Sequence, residues 1–305
     1  MLILLAAWLG AVLGPVVGWR LWRRGWRLGL VLPAIVYGLG VWAVLIEPRL
    51  LVVRHVTIES PNWRGAPVRL GVISDIHAGS PHVSAARAES VAARLAAERP
   101  DIVLLLGDYG GRAEPAALRR DADRSEVLRG VAALSAARAP LGRVAILGNH
   151  DWWYGAGEIR AALRKAGVTT LDNTAVRIGR PDGRFWVAGL ADLDSFTAGP
   201  DTARALANVP PGEPVIMLTH APDPWPQVPQ RVALTLAGHS HCGQVRLPLL
   251  GSPITPSPGS RRWPCGRYDL GGRILYVTGG VGTSILPVRF GVPPEIVIVT
   301  LRERP

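Results

Sequence analysis

Lysine and cysteine are nearly absent from this chain: among 305 residues there is a single lysine, Lys165, and there are two cysteines, Cys242 and Cys265. The cysteines lack the paired spacing of a zinc knuckle or a redox motif, so thiolate metal sites and thiol exchange are excluded as organising chemistry. They are either two unpaired thiols or one disulfide, and the second option requires an oxidising compartment. Beyond residue 50 no basic run is interleaved with aromatics, which argues against a nucleic-acid partner. Neither Thr283 nor Ser284 has a neighbouring base or a strained elbow around it, so a nucleophilic-serine mechanism is set aside. No internal repeat or low-complexity tract is present.

The net charge is +11, from 34 basic and 23 acidic residues. So strong an arginine bias, beside abundant Ala, Gly and Pro, reflects genome composition as much as a selected surface. Arg20, Arg23, Arg24, Arg27 and Arg49 fall in the first fifty residues against Glu47 alone, leaving 29 basic and 22 acidic residues elsewhere, an excess of +7. That balance suits an anionic substrate or membrane surface.

Residues 1–19 and 28–46 are two apolar runs, each near the ~20 residues a bilayer core requires. Between them lies a basic turn carrying Arg20, Arg23, Arg24 and Arg27, with Trp19, Trp22 and Trp26 at interfacial positions. The pattern predicts a transmembrane helical hairpin over residues 1–50 and a second domain over 51–305. A cleaved signal peptide fits less well, because no positive charge precedes the first run. A twin-arginine signal at Arg23-Arg24 lacks a small-residue cleavage site after Ile46. The dense arginines place the turn in the cytoplasm and the larger domain outside.

From Val68 onward, strands alternate with helices: strands at 68–73, 102–106 and 144–147, helices at 83–98, 124–137 and 157–166. This predicts a layered α/β domain. Strands follow at 185–190, 215–218 and 232–236. Beyond a Pro/Gly/Ser-rich loop at 246–263, two further strands, 274–278 and 295–301, predict a second, more antiparallel sheet packed on the first.

Five of the apolar runs end in side chains that can bind a cation: Asp75-Ile76-His77, Gly107-Asp108, Gly148-Asn149-His150-Asp151, His220 and Gly238-His239-Ser240-His241. Five of the seven histidines fall in these places. Chemistry in open α/β sheets collects at the carboxyl ends of strands. Two Asp, one Asn and four His exceed the needs of one tetrahedral zinc and suit two cations sharing a carboxylate. Such a pair lowers the pKa of water towards ~7, so the protein itself need not supply a nucleophile. Mn²⁺, Fe and Zn²⁺ all accept this donor mixture.

This ordered set resembles the calcineurin-like metallophosphoesterase superfamily over residues 70–241. The resemblance implies a four-layer α-β-β-α sandwich. It also implies roles: Asp75, His77 and His241 on one metal, Asn149, His220 and His239 on the other, Asp108 bridging, and His150 acting on the leaving oxygen with its ring oriented by Asp151. Trp153-Tyr154-Gly155, Gly189-Leu190-Ala191-Asp192, His220-Ala221-Pro222-Asp223, the segment from Gly243 to Pro248 and the stretches from Gly280 to Ile296 are similar to membrane-attached bacterial members. That subgroup implies attachment to the bacterial plasma membrane, which the hairpin would make multi-pass, with Cys242 where glycine is expected. The expected activity is hydrolysis of a phosphomonoester, phosphodiester or pyrophosphate bond, with a lipid-linked or envelope substrate favoured by a tether.

Other readings stand beside it. Trp152 and Trp153 could stack on a nucleoside, which would indicate a nucleotide phosphodiesterase, or pack beneath the metal loop. A retired scaffold keeping the fold is the alternative from another class; the complete ligand set argues against it. Arg289 could contact a phosphate oxygen or join a structural ion pair. His82 lines the substrate mouth or faces solvent, and His55 is read as a surface strand residue.

Overall fold

The computed structural model describes residues 2–25, 30–111, 121–181, 183–196 and 198–304. The chain opens with helix α1 (Leu2–Arg23) and helix α2 (Val31–Val41), and α2 runs on through a π turn (Trp42–Ile46) and a 3-10 turn (Glu47–Arg49). The expected two-span hairpin is corrected to one span: among the described residues, Val31–Arg49 alone is long and apolar enough to cross a membrane. Helix α1 continues through Arg20 and Arg23 and contains Pro15, so arginines expected in a turn belong to the helix. Trp26 and Arg27 of the expected turn, and Leu28 and Gly29 at the start of the second apolar run, lie outside the described residues.

Two six-stranded mixed sheets follow. The first has the order β1 (Val52–Ser60), β12 (Glu295–Glu303), β2 (Val68–Ile73), β3 (Ile102–Leu105), β4 (Arg143–Ala145), β5 (Thr169–Thr170). The second has the order β10 (Gly266–Leu270), β11 (Arg273–Val277), β9 (Leu234–Ala237), β8 (Val215–Thr219), β7 (Gly183–Gly189), β6 (Thr174–Arg180). Strands β2 to β5 are mutually parallel, as are β7, β8, β9 and β11. The near-continuous apolar runs of these strands follow from burial on both faces.

The expectation that residues 274–278 and 295–301 build a separate antiparallel sheet is corrected. β11 joins β9 in parallel, whereas β12 crosses back to the first sheet, parallel to β1 and antiparallel to β2. The Gly- and Pro-rich segment between them is what makes that crossing, and it passes over the carboxyl ends of the central strands.

Leu70, Val72, Leu104, Val297 and Val299 of the first sheet pack against Val187, Ile216, Leu218, Leu234 and Leu236 of the second, forming the inter-sheet core. The outer face of the first sheet is covered by α3 (Ala85–Ala97), α4 (Asp121–Ala133) and α5 (Asn149–Lys165). In α3, Ser84 caps the first turn by accepting from Arg87 N, and Ala88, Val91, Ala92 and Leu95 form the buried stripe. Each larger apolar side chain buried this way contributes roughly 1.5–3 kcal/mol. The second sheet's outer face is covered by the short α6 (Thr202–Ala205) and by Trp225 and Trp263. The result is an α/β sandwich with one fully helical outer layer.

Candidate metal centre

The metal-ligand candidates stand where strands stop. Asp75 and His77 follow β2, Asp108 follows β3, Asn149 to Asp151 open α5, His220 follows β8, and His239 and His241 follow β9. Five of them, Asp75, His77, Asp108, His239 and His241, adopt left-handed backbone with φ between 48° and 63°. That conformation costs on the order of 1–3 kcal/mol per non-glycine residue and persists where surrounding bonds over-determine it. Here Asp75 N donates to Gly107 O at 3.0 Å, His77 N to Asp108 O at 2.9 Å, and Gly238 N to His220 O at 2.8 Å.

Glycine is required beside the ligands for lack of room. A Cβ on Gly148 would lie 2.3 Å from Asp108 Oδ1 and 2.6 Å from His220 Nε2. One on Gly238 would lie 2.0 Å from Ser74 Oγ and 2.5 Å from Asp75 Oδ2.

Side chains separated by up to 166 positions converge. Asp75, His77 and His241 present ligand atoms within 4.8 Å of one another, and so do Asp108, His220 and His239. Asp108 joins the two groups, with Oδ2 3.6 Å from His77 Nε2 and 3.3 Å from His220 Nε2. Asn149 Oδ1 lies 3.2 Å from His220 Nε2. A third grouping, His77, Asp108 and His150, overlaps both.

The donor set fits divalent cations. His77 Nδ1 faces Gly110 O at 3.3 Å and His220 Nδ1 faces Leu106 O at 2.7 Å, so a neutral ring carries its proton there and turns the Nε2 lone pair inward. Burial pushes His77 and His239 down to about 3 and His241 well below the usual imidazole range. Burial lifts Asp75 to about 6. Asp108 is held well below the usual carboxylate range: burial opposes this, and His220 and His150 outweigh it. In turn Asp108 carries His220 well above its ordinary value against the effect of burial. His77 Nε2 and His241 Nε2 sit 3.1 Å apart, while His241 Nδ1 faces Arg289 Nη2 at 3.4 Å.

Two candidate residues, Asp151 and Arg289, depart from expectation. Asp151 does not orient the His150 ring. Its buried carboxylate accepts from the backbone N–H of Asp108 and Tyr109 (2.8 Å each), Gly148 (2.9 Å) and Gly110 (3.3 Å), and so fixes the loop that presents Asp108. Burial lifts it to about 7, opposed by those donors. Among the described residues His150 Nδ1 has no hydrogen-bond partner, and its Nε2 lies 3.3 Å from Ser284 Oγ. Arg289 is not at the mouth, and among the described residues it makes no ion pair. It is fully buried, donating to the carbonyls of Gly279, Gly280, Gly282 and Val292 and lying against His241. The two cysteines are joined as a Cys242–Cys265 disulfide with Cα atoms 4.8 Å apart, next to His241.

Trp153 is exposed, with its ring 4.9 Å from that of His150, whereas Trp152 is buried against Phe196 and Arg160. His82 is half-buried, its Nε2 3.0 Å from Pro287 O, and His55 lies exposed on β1. Sequence reasoning missed Ser74, whose hydroxyl donates to Asp75 Oδ2 at 2.5 Å, and the proximity of Ser284 to His150.

Residues 68–243, which carry this whole constellation, match the calcineurin-like phosphoesterase family. The chain belongs to that family. It is a metallophosphoesterase hydrolase, and its dinuclear metal-site residues are the buried Asp and His groups above. An uncharacterized metallophosphoesterase of Aquifex aeolicus (strain VF5) is 30% identical over 272 residues, 87% of this chain and 96% of that one. Phosphodiesterase YaeI of Escherichia coli (strain K12) is 30% identical over 251 residues, 77% of this chain and 83% of its own length. Among solved structures, calcineurin-like phosphoesterase YfkN from Bacillus subtilis aligns with a TM-score of 0.46 at 12% identity, covering 72% of this chain and 83% of that one.

Proposed function

We propose that the protein is a membrane-attached, two-cation phosphoesterase whose residues 1–50 attach it and whose residues 51–305 carry out hydrolysis. Asp75, His77 and His241 hold one cation, Asn149, His220 and His239 the other, and Asp108 bridges them. The observation that carries this reading is the position of Asp108 Oδ2, within reach of His77 on one side and His220 on the other. When bound, the cations supply Lewis acidity toward the phosphoryl group and lower the pKa of water to ~7. His150 holds a proton at Nε2, beside Ser284, for the leaving oxygen. Asp151 keeps the Asp108 loop in place, and Trp153 bounds the mouth.

The similarity to phosphodiesterase YaeI supports a diester substrate. Membrane attachment is supported by the apolar helix Val31–Arg49, and an extracytoplasmic catalytic domain by the disulfide. A tether favours a lipid-linked or envelope phosphate ester, because it raises the local concentration of such headgroups. Exposed Trp153 beside His150 favours a second reading, a nucleotide diester stacked on its ring.

The test is turnover by the purified full chain with Mn²⁺ against aryl phosphate mono- and diesters, a lipid-linked pyrophosphate and a cyclic nucleotide. Asp108→Asn is expected to lower bound metal below two equivalents. His150→Ala is expected to keep the metal and slow turnover by ~10²-fold or more. A metal-free, inert wild-type protein would refute the enzyme; better turnover of soluble esters would remove the lipid preference. Loss of nucleotide turnover alone in Trp153→Ala would favour the second reading.

A further inference from the structure

We propose that the catalytic mouth rests on the membrane: the loop tips carrying Leu249, Leu250, Ile254, Ile285 and Leu286 enter the headgroup region of an anionic bilayer. The inference rests on the membrane attachment proposed above for Val31–Arg49.

Chain connectivity places the mouth there. Ser284 Oγ touches His150 Nε2 at 3.3 Å, and five residues later Arg289 N donates to Ala43 O, inside the apolar helix, at 2.9 Å. Five extended residues reach at most ~17 Å, so His150 cannot be far from the last turns of the helix. The helix end is also clamped. Glu47, itself buried, accepts from Val292 N and from Trp42 Nε1, at 2.6 Å each, and Leu45 and Pro48 are buried beside it. A helix of 19 residues is ~28 Å long against a ~30 Å hydrocarbon core, leaving no length for a stalk between bilayer and domain.

The surface brought to that boundary is apolar. Leu249, Leu250, Ile254 and Ile285 are 75–106% exposed and Leu286 is 53% exposed. Single exposed leucines are ordinary on soluble proteins, but these five share two loops bound to each other. Gln244 Oε1 accepts from Ser284 N, Gln244 Nε2 donates to Leu286 O, and Arg246 N donates to Phe290 O. A cavity of 860 Å³ opens between these loops and the helix end, lined by Trp42, Leu50, Leu247, Leu249 and Phe290 among others.

Backbone and charge agree. Leu249 and Ile285 stand at the tips with φ of 67° and 61°, a costly conformation for a β-branched residue such as Ile285, and both side chains point away from the protein. Residues 243–263 contain Arg246, Arg261 and Arg262 and no acidic side chain, so this segment is attracted to anionic headgroups.

The experiment uses the full chain in vesicles of phosphatidylglycerol and phosphatidylcholine. Because the native cysteines are paired, one added cysteine can be labelled with a fluorophore under non-reducing conditions. The four variants are Val36→Cys in the helix, Leu249→Cys and Ile285→Cys at the tips, and Arg184→Cys at the opposite end of β7. Quenching by nitroxide-labelled lipid is expected at Val36, Leu249 and Ile285, at least ~2-fold above that at Arg184. Quenching at Val36 with the tips no better than Arg184 would overturn the docking and leave the attachment standing. Absence of quenching at Val36 would overturn the attachment, and the docking with it.

Discussion

Ser284 Oγ lies 3.3 Å from His150 Nε2, while His150 Nδ1 has no hydrogen-bond partner among the described residues. The hydroxyl is therefore the hydrogen-bond partner of the imidazole among the described residues, and it holds the ring that Asp151 leaves unsupported. Ser284→Ala is expected to lower kcat by about tenfold, a fraction of what general-acid catalysis contributes, because the proton carrier remains but is less well held. KM and bound metal should stay as in the wild type, and Ser284→Thr should restore most of the rate. An unaltered kcat in Ser284→Ala would refute the positioning role.

Arg289 is expected to govern stability. Its guanidinium satisfies four carbonyls of the 279–292 crossing and lies against ligand His241 with no solvent access. Arg289→Met leaves those carbonyls unpaired, a loss of roughly 3–5 kcal/mol when a buried polar network is broken. Urea unfolding should show the midpoint falling, and the remaining folded protein should keep its KM. A native midpoint with KM alone raised would instead indicate contact with the substrate phosphate.

These two residues mark where the sequence stops being readable. The five strand-end motifs could be found because apolar runs and polar ends are a one-dimensional pattern that parallel strands preserve in space. The partners of Asp151 are backbone N–H groups of residues 108–110 and 148, and nothing in side-chain order reveals them. Arginine's usual partners offer Arg289 either a phosphate oxygen or a structural ion pair, whereas its actual partners are carbonyls brought near by the Gly- and Pro-rich crossing. The same crossing sends β12 between β1 and β2, a long-range pairing that alternation of elements cannot predict. At the N-terminus, an apolar window identified the helices but not where α1 would stop, since arginine is a good helix former.

The disulfide is expected to tune the metal centre. Cys242 adjoins His241 at a left-handed φ of 50°, and Ser240 Oγ donates to Pro264 O at 2.7 Å, so the 264–265 segment holds the ligand loop from outside. Closing a loop over a separation of 23 residues stabilises the fold by about 3 kcal/mol in the chain-entropy account. Replacing both cysteines by alanine should lower the urea midpoint and weaken metal binding in the group that contains His241. Metal content and affinity equal to the wild type after reduction would show that the bridge serves stability alone.

Proton and cation compete for the same ligands, so metal loading depends on pH in a direction set by Asp75. Burial lifts its carboxyl to about 6, while His77 and His239 are pushed to about 3 and stay neutral throughout the working range. A raised carboxyl is protonated below its pKa, and only the ionised form binds a cation; affinity is therefore present above about 6 and lost as pH falls through it. His220, held high by Asp108, must release its own proton on binding at any pH in this range. Calorimetric titration with Mn²⁺ should show the dependence of log affinity on pH steepening below 6, from ~1 proton to ~2. Asp75→Asn should bind more weakly and lose the steepening while keeping the shallower slope. A steepening that survives in Asp75→Asn would assign the step to another group.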